Sequence, residues 1–239
     1  MKKVIVFLFF IFFVTTVYSE TVKLTTLDWE PYIGQKLNNQ GFVAEIVKEA
    51  FKRGGYDIEI QYYPWARTVD KAKKGEVDGY MPEYYSEELK NDFYVSEPFA
   101  GGPVGLFKRK GFDLKYEKLE DLKGYKIGVV RDYVNEENFD KATYLTKDEV
   151  TDDLTNIKKL LANRIDLFVA DKFVGFYLLN EHMPEMTMQM EFVEPPLIVH
   201  DLYVCINKNV KDAKKKIDSF NKGLKEMKED GSLDKMIKF

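Results

Sequence analysis

The sequence predicts an α/β protein of two similar lobes, and three observations carry that expectation. Segments with strand and helix periodicity alternate along the chain, which implies parallel sheets with helices on their faces. The alternation runs twice, and each run contains a helix terminator leading into a buried strand: Gly75-Glu76-Val77-Asp78 in the first, Asn163-Arg164-Ile165-Asp166 in the second. Beyond its first 19 residues the chain still exceeds the usual size of one compact core, and its 15% aromatic content supplies apolar area for two.

Met1 to Ser19 sets two lysines ahead of a nearly unbroken apolar run from Val4 to Val17. That is the layout of a secretory signal peptide with cleavage after Ser19. The run is shorter than the roughly 20 apolar residues of a spanning helix. No cysteine follows the cleavage point closely enough to take a lipid, so a freely diffusing exported protein is expected.

Val22 to Leu27 alternates apolar and polar and reads as a strand, broken by Asp28-Trp29-Glu30-Pro31-Tyr32. Phe42, Val43, Ile46, Val47, Ala50 and Phe51 recur at helical spacing up to Gly54-Gly55. Ile58 to Tyr62 is a second strand, Thr68 to Lys74 a short helix stopped by Gly75, and Val77 to Met81 a third strand. Lys118 to Gly124 is a helical turn. Lys126 to Val130 opens the second run, followed by a polar loop at Arg131-Asp132-Tyr133, a helix marked by Leu154, Ile157, Leu160 and Leu161, and a strand from Ile165 to Asp171. Ala213, Ile217, Phe220, Leu224 and Met227 form the core stripe of a C-terminal helix, with a last turn after Gly231.

Composition excludes several functions. The net charge of -4 becomes -6 once Lys2 and Lys3 leave with the signal peptide, and no basic stripe interleaved with aromatics appears, so nucleic acid is not an expected partner. Cys205 is the single cysteine, so no internal disulfide forms, and its apolar neighbours mark it as a strand residue. No metal-ligand spacing, Gly-x-Ser-x-Gly or phosphate-cradling glycine loop is present, and no cofactor is expected.

The chain resembles the family 3 extracellular solute-binding proteins, the periplasmic receptors of polar amino-acid ABC transporters. The motifs are Trp29-Glu30-Pro31-Tyr32, Gly41-Phe42, Gly75-Glu76-Val77-Asp78, Tyr94-Val95-Ser96-Glu97-Pro98-Phe99, Leu119 to Val129, Arg164-Ile165-Asp166 and Asp230-Gly231, and their order covers Thr21 to Phe239. The resemblance implies the type II periplasmic binding protein fold, with lobes joined by a two-strand hinge: residues 20–109 with 201–239, and residues 110–200. The crossings fall near Phe107 to Phe112 and Leu197 to Leu202. It further implies a monomer that closes on a small-molecule ligand and presents the closed form to a membrane permease, with amino acids or related zwitterions as the leading class.

Nine residues are candidate ligand contacts. Trp65 matches the family position whose ring stacks on ligand, with a core role as the alternative. Trp29 and Tyr32 flank Pro31 in a loop that faces the cleft in this architecture. Arg67 either clamps a carboxylate or pairs at the surface with Asp70 or Glu76. Glu83 and Tyr84 follow the third strand, where Glu83 is either a loop residue or a contact. Arg131 and Tyr133 lie in a loop that relatives use to hold a carboxylate. Asp171 aligns with the aspartate that receives the ligand's α-amino group, whereas Asp166 suits a structural cap. The resemblance also shows a departure: Ser86-Glu87-Glu88-Leu89 stands where relatives carry a run ending in a carboxylate-gripping arginine. Either Arg67 or Arg131 takes that role, or the ligand is not a standard α-amino acid.

Two other functions are open on this scaffold. A ligand-sensing module for a membrane receptor fits as well as uptake does. A periplasmic dehydratase would need a tuned acid or base, for which Glu83, Asp171 and His200 are the visible candidates; binding without chemistry is the expectation.

Overall fold

The computed structural model describes residues 20–237, so the expected signal peptide lies outside the described residues. The first half of the fold starts with strand β1 (Glu20–Thr26), helix α1 (Phe42–Arg53), strand β2 (Tyr56–Tyr62), helix α2 (Trp65–Lys73) and strand β3 (Gly79–Tyr84). After helix α3 (Leu89–Asp92) and strand β4 (Phe93–Val95), the long strand β5 (Ala100–Arg109) leads into the second half. There strand β6 (Lys126–Val130), helix α4 (Glu137–Lys141), strand β7 (Thr146–Val150), helix α5 (Asp153–Leu161) and strand β8 (Leu167–Asp171) repeat the order of the first five elements. Helix α6 (Lys172–His182) and strand β9 (Met190–Phe192) precede the second long strand, β10 (Ile198–Asn207), and helices α7 (Ala213–Glu229) and α8 (Ser232–Met236) end the chain.

The two halves have matching sheets. In one, β1 lies parallel between β2 and β3, and β10 closes the set antiparallel to β3. In the other, β6 lies parallel between β7 and β8, and β5 closes it antiparallel to β8. The long strands pair with one another antiparallel, Ile198–Leu202 against Ala100–Val104, while Phe107 and Lys108 pair with both β8 and β9. These two strands carry the chain between the halves.

The repeated terminator does the same job in both. Asp78 donates its N–H to the Lys23 carbonyl (2.9 Å) and accepts the Lys23 N–H on Oδ2 (2.8 Å). Asp166 treats Lys126 identically, at 2.9 and 2.8 Å. Each aspartate ties the turn after a helix to the start of its half's central strand, the cap expected of Asp166.

Burial follows the strand faces. In the first half α1 and α7 cover one face with Val43, Ile46, Phe51, Ile217 and Phe220, and α2 covers the other over Ala72, Tyr80 and Phe93, with Cys205 buried among them. In the second half Ile127, Val129 and Phe139 fill one face, and Phe107, Ile157 and Phe168 the other. Pro82 has no N–H to give to β10, and the register slips between Tyr203 and Cys205 opposite it. That bulge turns the end of β3, which carries Glu83 and Tyr84.

Candidate functional site

A cleft runs between the halves where the C-terminal ends of their parallel strands face each other, the place where open α/β sheets gather ligands. Its inner compartment holds about 320 Å³ of empty space, part of it open to solvent, lined by Leu27, Trp29, Trp65, Glu83, Tyr84 and Tyr133 among others. The outer compartment is larger, about 1320 Å³ of empty space with open solvent included, and adds Asp28, Glu30, Asp152, Asp153 and Tyr62. Leu27, Trp29, Trp65 and Tyr133 line both.

Rings form the walls. In the loop after β1, Trp29 stacks at 4.4 Å between centroids on Tyr32, which is fully buried behind it and lines neither compartment, contrary to its expected role as a contact, and Trp29 meets the edge of Tyr84 at 5.8 Å. Trp65 opens α2, sits edge-on to Tyr80 (5.7 Å) and, across the cleft, to Tyr133 (6.1 Å), and its Nε1 donates to the Asp132 carbonyl at 3.2 Å. One half thus reaches the other through an indole N–H. Trp65 is half-buried and lines both compartments.

Acids occupy the ends. Glu83 is buried, accepting from the Tyr80 hydroxyl on Oε2 and the Tyr84 N–H on Oε1, both at 2.8 Å. Burial outweighs those bonds and lifts its pKa to about 7. Asp171 uses both carboxylate oxygens. Oδ1 caps α6 by accepting from Phe173 N and Val174 N, and Oδ2 accepts from Tyr32 Oη at 2.9 Å and Tyr84 Oη at 3.3 Å. Its pKa is also raised by burial, to about 6. Asp171 lies behind the two tyrosines, outside the set that lines either compartment. Gly102 in β5 makes this contact possible, since a Cβ there would stand 2.1 Å from Tyr32 Oη and 2.4 Å from Asp171 Oδ2.

Both arginines point elsewhere. Arg67 is exposed with its guanidinium over the Tyr63 ring at 4.8 Å, while Asp70 and Glu76 pair with Lys74 and Lys71. Arg131 is exposed and pairs with Glu149 at 3.5 Å. Neither lines the cleft, and among the described residues no lysine, arginine or histidine lines either compartment. His200, in β10, stacks on Tyr84 at 4.3 Å and bonds through Nε2 to the Asn135 carbonyl, and burial holds its pKa below the ordinary value. It braces the long strand against the second half.

Asp153 was not legible as a site residue, although it is, with the Tyr62 hydroxyl, one of two buried cleft groups with an unpartnered oxygen. It opens α5, is 4% exposed, and its Oδ1 has no hydrogen-bond partner. Its neighbour Asp152 already caps the helix by accepting from Thr155 N, so Asp153 is not needed as a cap. Burial, with Asp171 and Asp152 nearby, raises its pKa to about 7. A signal did exist in the internal repeat: Trp65 stands ten residues before Gly75 and Asp153 ten before Asn163, so each opens the equivalent helix. By the same count Glu83 and Asp171 are each five residues beyond the tie aspartates.

Comparison with known proteins agrees with this architecture. ArtP of Bacillus subtilis, an arginine-binding extracellular protein, is 26% identical over 224 residues, covering 90% of this chain and 83% of its own. An ancestral arginine-binding protein solved with arginine superimposes with a TM-score of 0.77 at 23% identity, over 90% of this chain and 96% of that one. A histidine kinase sensor domain similar to periplasmic binding proteins gives 0.78 at 19% identity, over 91% and 93%. At these identities the solved structures establish the fold, which is that of the two-lobed type II periplasmic binding proteins. Residues 24–238 match the bacterial extracellular solute-binding proteins, family 3, a family of binding proteins to which this chain belongs.

Proposed function

We propose that the protein is a periplasmic receptor that captures a small nitrogenous metabolite of the amino-acid class or a close relative between its lobes and delivers it, as a monomer, to the permease of an ABC transporter. The first lobe comprises residues 20–109 and 201–239 and the second 110–200, with the far end of β5 shared, since Val104–Lys108 pair with β8 of the second half and the crossing falls at Ala100–Val104, ahead of the expected Phe107 to Phe112. The observation that supports this most is the cleft itself, with aromatic walls contributed by both halves and buried carboxylates at its ends. Rings give apolar cover or cation–π attraction, and carboxylates accept charge-assisted bonds from an ammonium. Relatives named for arginine, cystine and histidine support a nitrogenous ligand.

Closure follows from the same contacts. A ligand that touches Trp65 on one lobe and the α5 start on the other favours the closed state, and only such differential contact shifts the population. Scattering from the mature protein should show compaction with its ligand. Curves unchanged across amino acids, amines, organic acids and sugars would sink the receptor reading. The likeness to a kinase sensor domain keeps signalling as the second reading, and a pull-down of the closed form from bacterial membranes separates a permease from a receptor kinase.

A further inference from the structure

We propose that the cleft is built for a small organic dication without a carboxylate, an aliphatic diamine or amino-guanidine, with one cationic end at Glu83 and the other at Asp153. The proposal rests on the receptor reading above and narrows its ligand.

Charge placement is the first support. Five carboxylates line the two compartments, Glu83 inside and Asp28, Glu30, Asp152 and Asp153 outside, and among the described residues no basic side chain joins them. A ligand carboxylate would lose part of its hydration among like charges, with no guanidinium or ammonium among the described lining residues to receive it. Arg131 is engaged by Glu149, and Arg67 lies over the ring of Tyr63, a lining residue, without itself lining the cleft.

Asp153 is the second, independent support. A carboxylate this buried ordinarily has its oxygens paired. Here Oδ1 is unpaired beside a cleft, and the groups closest in charge, Asp152 and Asp171, repel it. A cation at the α5 start supplies what is missing. Glu83 offers the matching inner end: each oxygen accepts one bond and keeps a lone pair for another. Its pKa and that of Asp153 stand near 7, the state of two acids awaiting a counter-charge.

The wall between the ends is the third. Trp29, Trp65, Tyr133 and Leu27 belong to both compartments, so a chain running from one acid to the other lies against rings and an aliphatic side chain throughout. Methylenes fit that wall, and the ring faces add cation–π attraction near each end. Among the described residues, no three His, Cys, Asp or Glu side chains are gathered closely enough to hold a metal ion. The negative charge is spread along the cleft, as an elongated cation requires.

Arginine and agmatine differ only by the carboxylate, and butylamine and putrescine only by the second ammonium. Titration calorimetry of the mature chain at pH 8 should show agmatine binding at least tenfold tighter than arginine, and putrescine at least tenfold tighter than butylamine. Asp153→Asn and Glu83→Gln should each weaken agmatine at least tenfold, and if either variant fails to fold the wild-type comparisons still decide. Arginine binding as tightly as agmatine, or butylamine as tightly as putrescine, would overturn the dication while leaving a solute receptor. Silence toward amines, amino acids, organic acids and sugars alike would overturn both.

Discussion

Asp171 shows how far a single residue was legible. Its position at the end of a strand was clear, and so was its acidity at a cleft. Its commitments were not, because Tyr32 and Tyr84 approach from 139 and 87 residues away and only the tertiary fold brings them to one oxygen. Removing the carboxyl strips a helix cap, worth about 1 kcal/mol, and leaves buried hydroxyls unpaired at about 1–3 kcal/mol. Asp171→Ala should therefore destabilise by about 2–4 kcal/mol in urea melts, whereas Asp171→Asn, which keeps a capping carbonyl, should cost under about 1.5 kcal/mol. Equal losses would mean that the negative charge, and not the acceptor geometry, holds the contact. Trp65 behaves differently because its ring is half-buried and its N–H reaches the far half. Trp65→Ala should cost at least tenfold in ligand affinity, with a stability loss of about 1–2 kcal/mol from the lost contact with Tyr80, read as paired titration and melting curves. A larger stability loss with unchanged affinity would make it a core residue.

At the scale of elements, the chain was legible wherever an element has one wet face. The stripe Ala213, Ile217, Phe220, Leu224 and Met227 marked α7 because those residues pack in the first half's core while most of their neighbours, the buried Lys216 and Gly223 apart, are turned to water. Helix α6 had no such signal. Phe173 and Leu178 pack against the core of the first half, while Phe176 and Leu179 pack in that of the second, so apolar residues surround the axis and no period survives. Glycines that allow close approach are equally silent in the sequence, since their need arises from the partner. A Cβ on Gly223 in α7 would lie 2.0 Å from the Ala50 carbonyl oxygen of α1, a backbone atom with no freedom to yield. Gly223→Ala should force the helices apart and lower stability by about 1–3 kcal/mol despite alanine's better helix propensity. A neutral or higher melting temperature would show that α7 slides at no cost.

For the whole molecule, the decisive quantity is the charge that the proposed closure would enclose. Burial raises the carboxyl pKa values of Glu83, Asp153 and Asp171 to about 7, 7 and 6, against ordinary values near 4 for groups open to water. A carboxyl whose pKa is raised on closure favours the closed form while protonated, and that support is lost as pH rises through 6 to 7. His200 acts in the opposite sense, because burial lowers its pKa and protonation near its ordinary value opposes the same arrangement. The three acids outnumber it between pH 8 and pH 6. The ligand-free protein should therefore be more compact at pH 6 than at pH 8 by small-angle scattering. A bound cation reverses the dependence, since it pairs with the ionised acids and must displace their protons. Agmatine affinity should rise about tenfold from pH 6 to pH 8, with protons released to the buffer, and Asp153→Asn should flatten that rise. An affinity independent of pH, with no buffer-dependent heat, would place the ligand away from these carboxylates.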